Sequence, residues 1–79
     1  MNEKEKLQTV LEGLRRKMRK CTSDIEKVDQ ELEWLQEVSV NDTVLDTIRH
    51  QELRLQDLQA DRNALWIKFQ RLSEKLKTL

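Results

Sequence analysis

Leu7, Leu11, Leu14, Met18, Cys21, Ile25, Val28, Leu32 and Leu35 are all apolar and follow one another at alternating intervals of four and three residues. That alternation averages close to one helical turn, so it gathers the nine side chains into one stripe along an α-helix. On a strand the same positions would scatter over both faces. The stripe therefore demands a long helix with a seam that another helix must cover, and the functional question becomes what this chain binds.

A second seam follows: Val44, Ile48, Gln51, Leu55, Leu58, Arg62, Leu65, Phe69, Leu72, Leu76 and Leu79, with only Gln51 and Arg62 polar. The two seams are out of phase. Leu35 and Val44 hold the same heptad position but lie nine residues apart, where an unbroken repeat needs seven or fourteen. A single continuous helix would rotate the second stripe away from whatever covers the first. The segment between them, Ser39-Val40-Asn41-Asp42-Thr43, has turn and capping chemistry. Asn41 can cap a following helix, and Val40 can pack back onto Leu45 as a hydrophobic staple. The Asn41-Asp42-Thr43 triplet also fits the glycosylation sequon, but a helix cap accounts for it without a secretory route.

The expected fold is all-α: an antiparallel two-helix coiled-coil hairpin, with pairing into a four-helix bundle as its extension. Helix 1 spans about 3–38, the loop about 39–41 and helix 2 about 42–79. Antiparallel packing sets a positions against d positions, which allows registers whose paired residue numbers add to 76 or 83. The second centres the loop on Asn41 and Asp42. It pairs Leu35 with Ile48, Val28 with Leu55, Ile25 with Leu58, Met18 with Leu65, Leu14 with Phe69 and Leu7 with Leu76. It also sets Arg62 against small Cys21, where the arginine stem can lie along the seam and its head reach water. Gln51 and Arg62 then act as register markers, because a polar seam residue penalises the wrong alignments. Both ends of the chain run in the heptad pattern, which predicts a fragment of a longer protein.

Composition narrows the function classes. Seventy-nine residues, 38% charged and 4% aromatic, suit a rod and leave little room for an enclosed catalytic pocket. Proline is absent and Gly13 is the single glycine, so phosphate-cradling loops have no raw material. Carboxylates are plentiful but lie on an open rod, and His50 stands alone at an outward position with no ligand set around it. No catalytic, cofactor-binding or metal-ligating residue is assigned, and an enzyme is not expected. Cys21 is the sole cysteine and reads as a small seam residue in a reducing compartment. With no bilayer-length apolar run and no secretory signal, a cytoplasmic or nuclear location is expected.

Charge is unevenly placed. Residues 24–46 hold eight acidic groups against Lys27, a net −7, whereas 1–23 carry +4 and 47–79 carry +3. A hairpin would thus have an acidic tip and a basic open end. Arg15, Arg16 and Arg19 lead the basic cluster, but with net charge zero and no adjacent exposed aromatics, nucleic acid and membrane are disfavoured as partners. Helix 2 also has more apolar surface than one seam uses. Leu53, Ala60, Ala64 and Ile67 fall on its back, and Trp66 widens the stripe toward the seam.

The expectation is a non-enzymatic protein–protein interaction module that self-associates or binds a partner helix. Leu53, Ala60, Ala64, Trp66 and Ile67 would be its anchors and Arg15, Arg16 and Arg19 its cationic rim. In architecture alone such hairpins resemble the small coiled-coil modules of scaffold, adaptor and effector proteins; no residue motif assigns a family. The competing readings are a parallel coiled-coil dimerisation spacer and a basic surface for anionic polymers or membranes.

Overall fold

The computed structural model describes residues 2–38 and 41–79. Two helices, α1 (Glu3–Glu37) and α2 (Asp42–Lys77), account for nearly all of them. Both begin on an asparagine. The Asn2 side chain accepts from the Glu5 backbone N–H at 2.8 Å, and the Asn41 side chain accepts from the Val44 backbone N–H at 2.9 Å. Each cap satisfies one of the donors that a helix start leaves free. Acidic residues follow in the first turns, Glu3 and Glu5 in α1 and Asp42 in α2, where the helix dipole favours them. Lys75 and Lys77 complement the last turn of α2, whereas the last turn of α1 holds no basic residue. Val38 ends α1 by turning to an extended conformation. Ser39 and the expected Val40–Leu45 staple lie outside the described residues.

The molecule is a rod of 58 × 14 × 14 Å. A 36-residue helix spans about 54 Å at ~1.5 Å per residue, so the rod is one helix long and the chain turns back on itself. Contacts between the arms give the direction. Near the loop, Gln51 Nε2 donates to Glu31 Oε2 at 2.9 Å; at the far end, Lys75 Nζ approaches Glu3 Oε1 at 3.8 Å. The fold is an antiparallel helical hairpin. The Gln51–Glu31 pair, and the Arg15 guanidinium lying 5.3 Å from the centre of the Phe69 ring, join residues whose numbers add to 82 and 84. Both sit one residue from the alignment that adds to 83, and six and eight residues from its alternative at 76. The Glu3–Lys75 pair adds to 78, an offset that two long, exposed side chains span.

The core is a single layer. Leu7, Leu11, Leu14, Ile25, Val28, Leu32 and Leu35 of α1 are buried, and all of them are stripe residues. Met18 and Cys21, the two stripe residues left out, are half-buried. Cys21 is thus a partly covered seam residue and not a fully buried one. On α2 no described residue is buried; its seam from Val44 to Leu76 is half-buried throughout. The asymmetry follows from where each helix keeps its apolar side chains. On α1 nearly all of them lie on one stripe and turn inward together. On α2 they are spread around the helix, so no rotation covers them all.

Candidate interaction surface

The break in the α1 core marks the middle of the rod. There Arg62, at a seam position of α2, stands level with Cys21 where an apolar partner would otherwise be. Arg62 is half-buried and shares a shallow groove with Met18, Thr22, Asn63 and Trp66. Half-burial suits an arginine at a seam, whose apolar stem tolerates cover while its charged head requires water. Gln51, the other polar seam residue, is satisfied across the seam by Glu31. Polar residues in both places thus have an outlet, one to the surface and one to a hydrogen-bond partner.

Around this break the hairpin has two distinct flanks. On one, Trp66 stacks on Phe69, three residues further along the same helix, with ring centres 5.9 Å apart and planes inclined by 12°. The Arg15 guanidinium sits over the same Phe69 ring. Arg15 also lines a groove with Met18, Arg19, Thr22 and Glu26. Because Met18 and Thr22 border both grooves, Trp66, Arg15 and Arg19 belong to one continuous strip. Aromatic stacking and a cation–π contact hold Trp66 and Arg15 at its centre, and Trp66 remains 49% exposed. Arg16 lines a neighbouring shallow groove together with Glu12, Arg15 and Arg19.

The opposite flank carries Ala64, in a groove with Lys17, Lys20, Cys21, Asp61 and Lys68. Small Ala64 and small Cys21 leave the depression, and lysines border it. Leu53, Ala60 and Ile67 lie on neither flank. Seven residues apart, they form a straight row on the side of α2 facing away from α1, with Leu53 60% and Ile67 49% exposed. The structure therefore distributes the anchor residues read from the sequence over three faces: Trp66 with Arg15 and Arg19, Ala64 on the other flank, and Leu53, Ala60 and Ile67 along the back.

Two large apolar residues of α1 are also exposed, Trp34 (61%) near the loop and Val10 near the open end. Each is isolated, the ordinary condition of surface apolar side chains. The back of α1 between Thr9 and Gln30 is densely charged, including Glu12, Arg16, Arg19, Lys20, Glu26 and Lys27. Over the same stretch of α2, the back row Leu53, Ala60 and Ile67 and the residues on its two edges, Gln56, Asp57, Asn63 and Ala64, carry one charge, Asp57. In a chain with this proportion of ionised residues, such a depleted strip is the outstanding feature of the surface.

Among the described residues, no group of three His, Cys, Asp or Glu side chains is placed to hold a metal ion, and no helix is long and apolar enough to cross a membrane. Comparison with protein-family models, with curated proteins and with solved structures finds no match to this chain.

Proposed function

We propose that this hairpin is a non-enzymatic protein–protein interaction module, and that the outer face of α2 is its docking surface. The observation that supports this most directly is the pairing of an uncovered core with an uncovered row. No described side chain is below 2% exposure, while Leu53, Trp66 and Ile67 stand about half exposed or more on the helix whose own seam is only half-buried. A helix laid against α2 would remove both kinds of apolar surface from water, at ~25 cal/mol per Å2. Ala60 and Ala64 permit close approach, and Trp66, already ordered by Phe69, loses little freedom when covered.

Arg15, Arg16 and Arg19 act as a rim in this reading, favouring acidic groups on whatever docks beside Trp66. A parallel dimerisation spacer would need the two seams to continue in one direction, and the chain instead folds back. Binding to an anionic polymer has less support, because the Arg15 guanidinium is engaged with Phe69 and the α1 back mixes both signs of charge.

The test is to charge the row. Leu53→Glu together with Ile67→Glu should leave the helix content by circular dichroism unchanged, because both side chains point away from α1. It should abolish the association that the wild-type chain shows, whether with itself or with proteins retained from cells that express it. A double variant that keeps every wild-type association would defeat the proposal.

A further inference from the structure

The α2 back row has a symmetry that selects its occupant. α2 runs from Asp42 to Lys77, so its midpoint falls at Ala60, and Leu53 and Ile67 lie seven residues to either side. We infer that the occupant is a second copy of this chain, packed antiparallel along α2 with the two-fold axis passing at Ala60. This rests on the proposed docking role of α2 and adds the partner, its orientation and its register. Ala60 then meets Ala60 of the other copy, where the absence of larger side chains lets the backbones approach. Each Leu53 meets an Ile67, and each Asp57 faces an Asn63 amide able to donate to it. Because the axis lies at the middle of the helix, the two rods overlap along their full length.

Charge supplies the orientation. In the register near 83, Ala60 sits level with residue 23, which divides the rod into two halves. The loop half, 24–59, holds ten acidic residues against three basic ones, a net −7; the open half, 1–23 with 60–79, holds twelve basic against five acidic, a net +7. Parallel pairing would lay −7 on −7 and +7 on +7. Antiparallel pairing lays each half against its opposite, and like-charge juxtaposition across an interface is strongly disfavoured.

Area separates this from end-to-end association, which the same charge pattern would allow. The side of the rod measures 58 by 14 Å, about 800 Å2, so a side-by-side contact has room for up to the usual share of one partner in a stable interface. An end-on contact of 14 by 14 Å offers about 200 Å2, a quarter of that. Side-by-side pairing also gives α2 a second apolar contact layer on the face opposite its seam, with the four helices side by side.

The experiment combines mass and cross-linking in a Cys21→Ala background. Wild-type mass should rise with concentration from 9.5 kDa to twice that value. Under oxidation, Ala60→Cys should close a disulfide with its own copy, and a mixture of Leu53→Cys and Ile67→Cys chains should form the mixed dimer. Leu53→Cys alone should not cross-link, since the two copies of residue 53 would lie about 21 Å apart at ~1.5 Å per residue. Cross-linking of Leu53→Cys with itself would mean parallel pairing and overturn the inference. A wild-type chain that stays at 9.5 kDa at every concentration would also overturn it. In that case, loss of cellular partners by the Leu53→Glu, Ile67→Glu variant would leave the docking role of α2 standing, and their full retention would remove that too.

Discussion

Ile25 and Leu58 face one another across the seam, yet the structure gives them unequal cover: Ile25 is 6% exposed and Leu58 is half-buried. Truncating either to alanine removes three carbons. At ~0.8 kcal/mol per buried carbon, Ile25→Ala should cost about 2.4 kcal/mol. The cavity contribution is small here because a two-helix seam can close or admit water, which places the result near the low end of core truncations. Leu58 loses the same atoms from a partly wet site, so Leu58→Ala should cost about 1.5 kcal/mol. His50→Ala, on an exposed side chain, should change stability by less than about 0.5 kcal/mol. For a domain of this size, stability is on the order of 4–12 kcal/mol, so the first change should lower the melting midpoint by roughly 10–20 °C. Urea and thermal melts followed by circular dichroism measure all three. They should be run at high dilution, so that association does not mask the hairpin's own stability, and then at high concentration. A cost for Leu58→Ala that exceeds that of Ile25→Ala would refute the burial asymmetry between α1 and α2. Equal mildness of Ile25→Ala and His50→Ala would refute the seam itself.

Gly13→Ala should stabilise the hairpin by about 0.5–1 kcal/mol, since glycine is a poor residue for a helix interior and a methyl group there meets nothing within 4 Å; an unchanged or lower urea midpoint would contradict that open space. Asn41→Ala should cost about 1 kcal/mol through loss of the α2 cap, read from the same melts, whereas Asn41→Asp should be nearly neutral. Gln51→Leu should raise the thermal midpoint by replacing a polar seam residue with an apolar one, but it removes the hydrogen bond to Glu31. Spin labels at Thr9 and Thr78, which share the open end, should then report a broader distance distribution than in the parent, and an equally narrow one would show that Gln51 does not hold the register.

The hairpin itself was legible because phase is a strong constraint. Nine residues between Leu35 and Val44 cannot be absorbed by a heptad repeat, and the capping asparagine at position 41 stands where the second stripe must restart. The register was only half legible: the heptad pattern allows alignments adding to 76 or 83, the turn residues favour the second, and it is the Gln51–Glu31 and Arg15–Phe69 contacts that place the structure near it. Depth of burial was not. Heptad spacing states which way a side chain points, and it says nothing about how far its helix turns toward the neighbour. Leu58 and Ile25 are both seam positions and receive different cover, because α2 balances its seam against apolar residues on its other side and α1 does not.

The surface was legible residue by residue and misleading as a patch. Spacing groups Leu53, Ala60 and Ile67 correctly, since seven residues return to one line on a helix. It cannot tell that Trp66, only one residue from Ile67, leaves that line to lie on Phe69 beside Arg15. One signal was present: Trp66 and Phe69 are three apart, the distance at which helix side chains meet, and the chosen register brings Arg15 to the same level. Their contact makes the flank and the back of α2 separable surfaces.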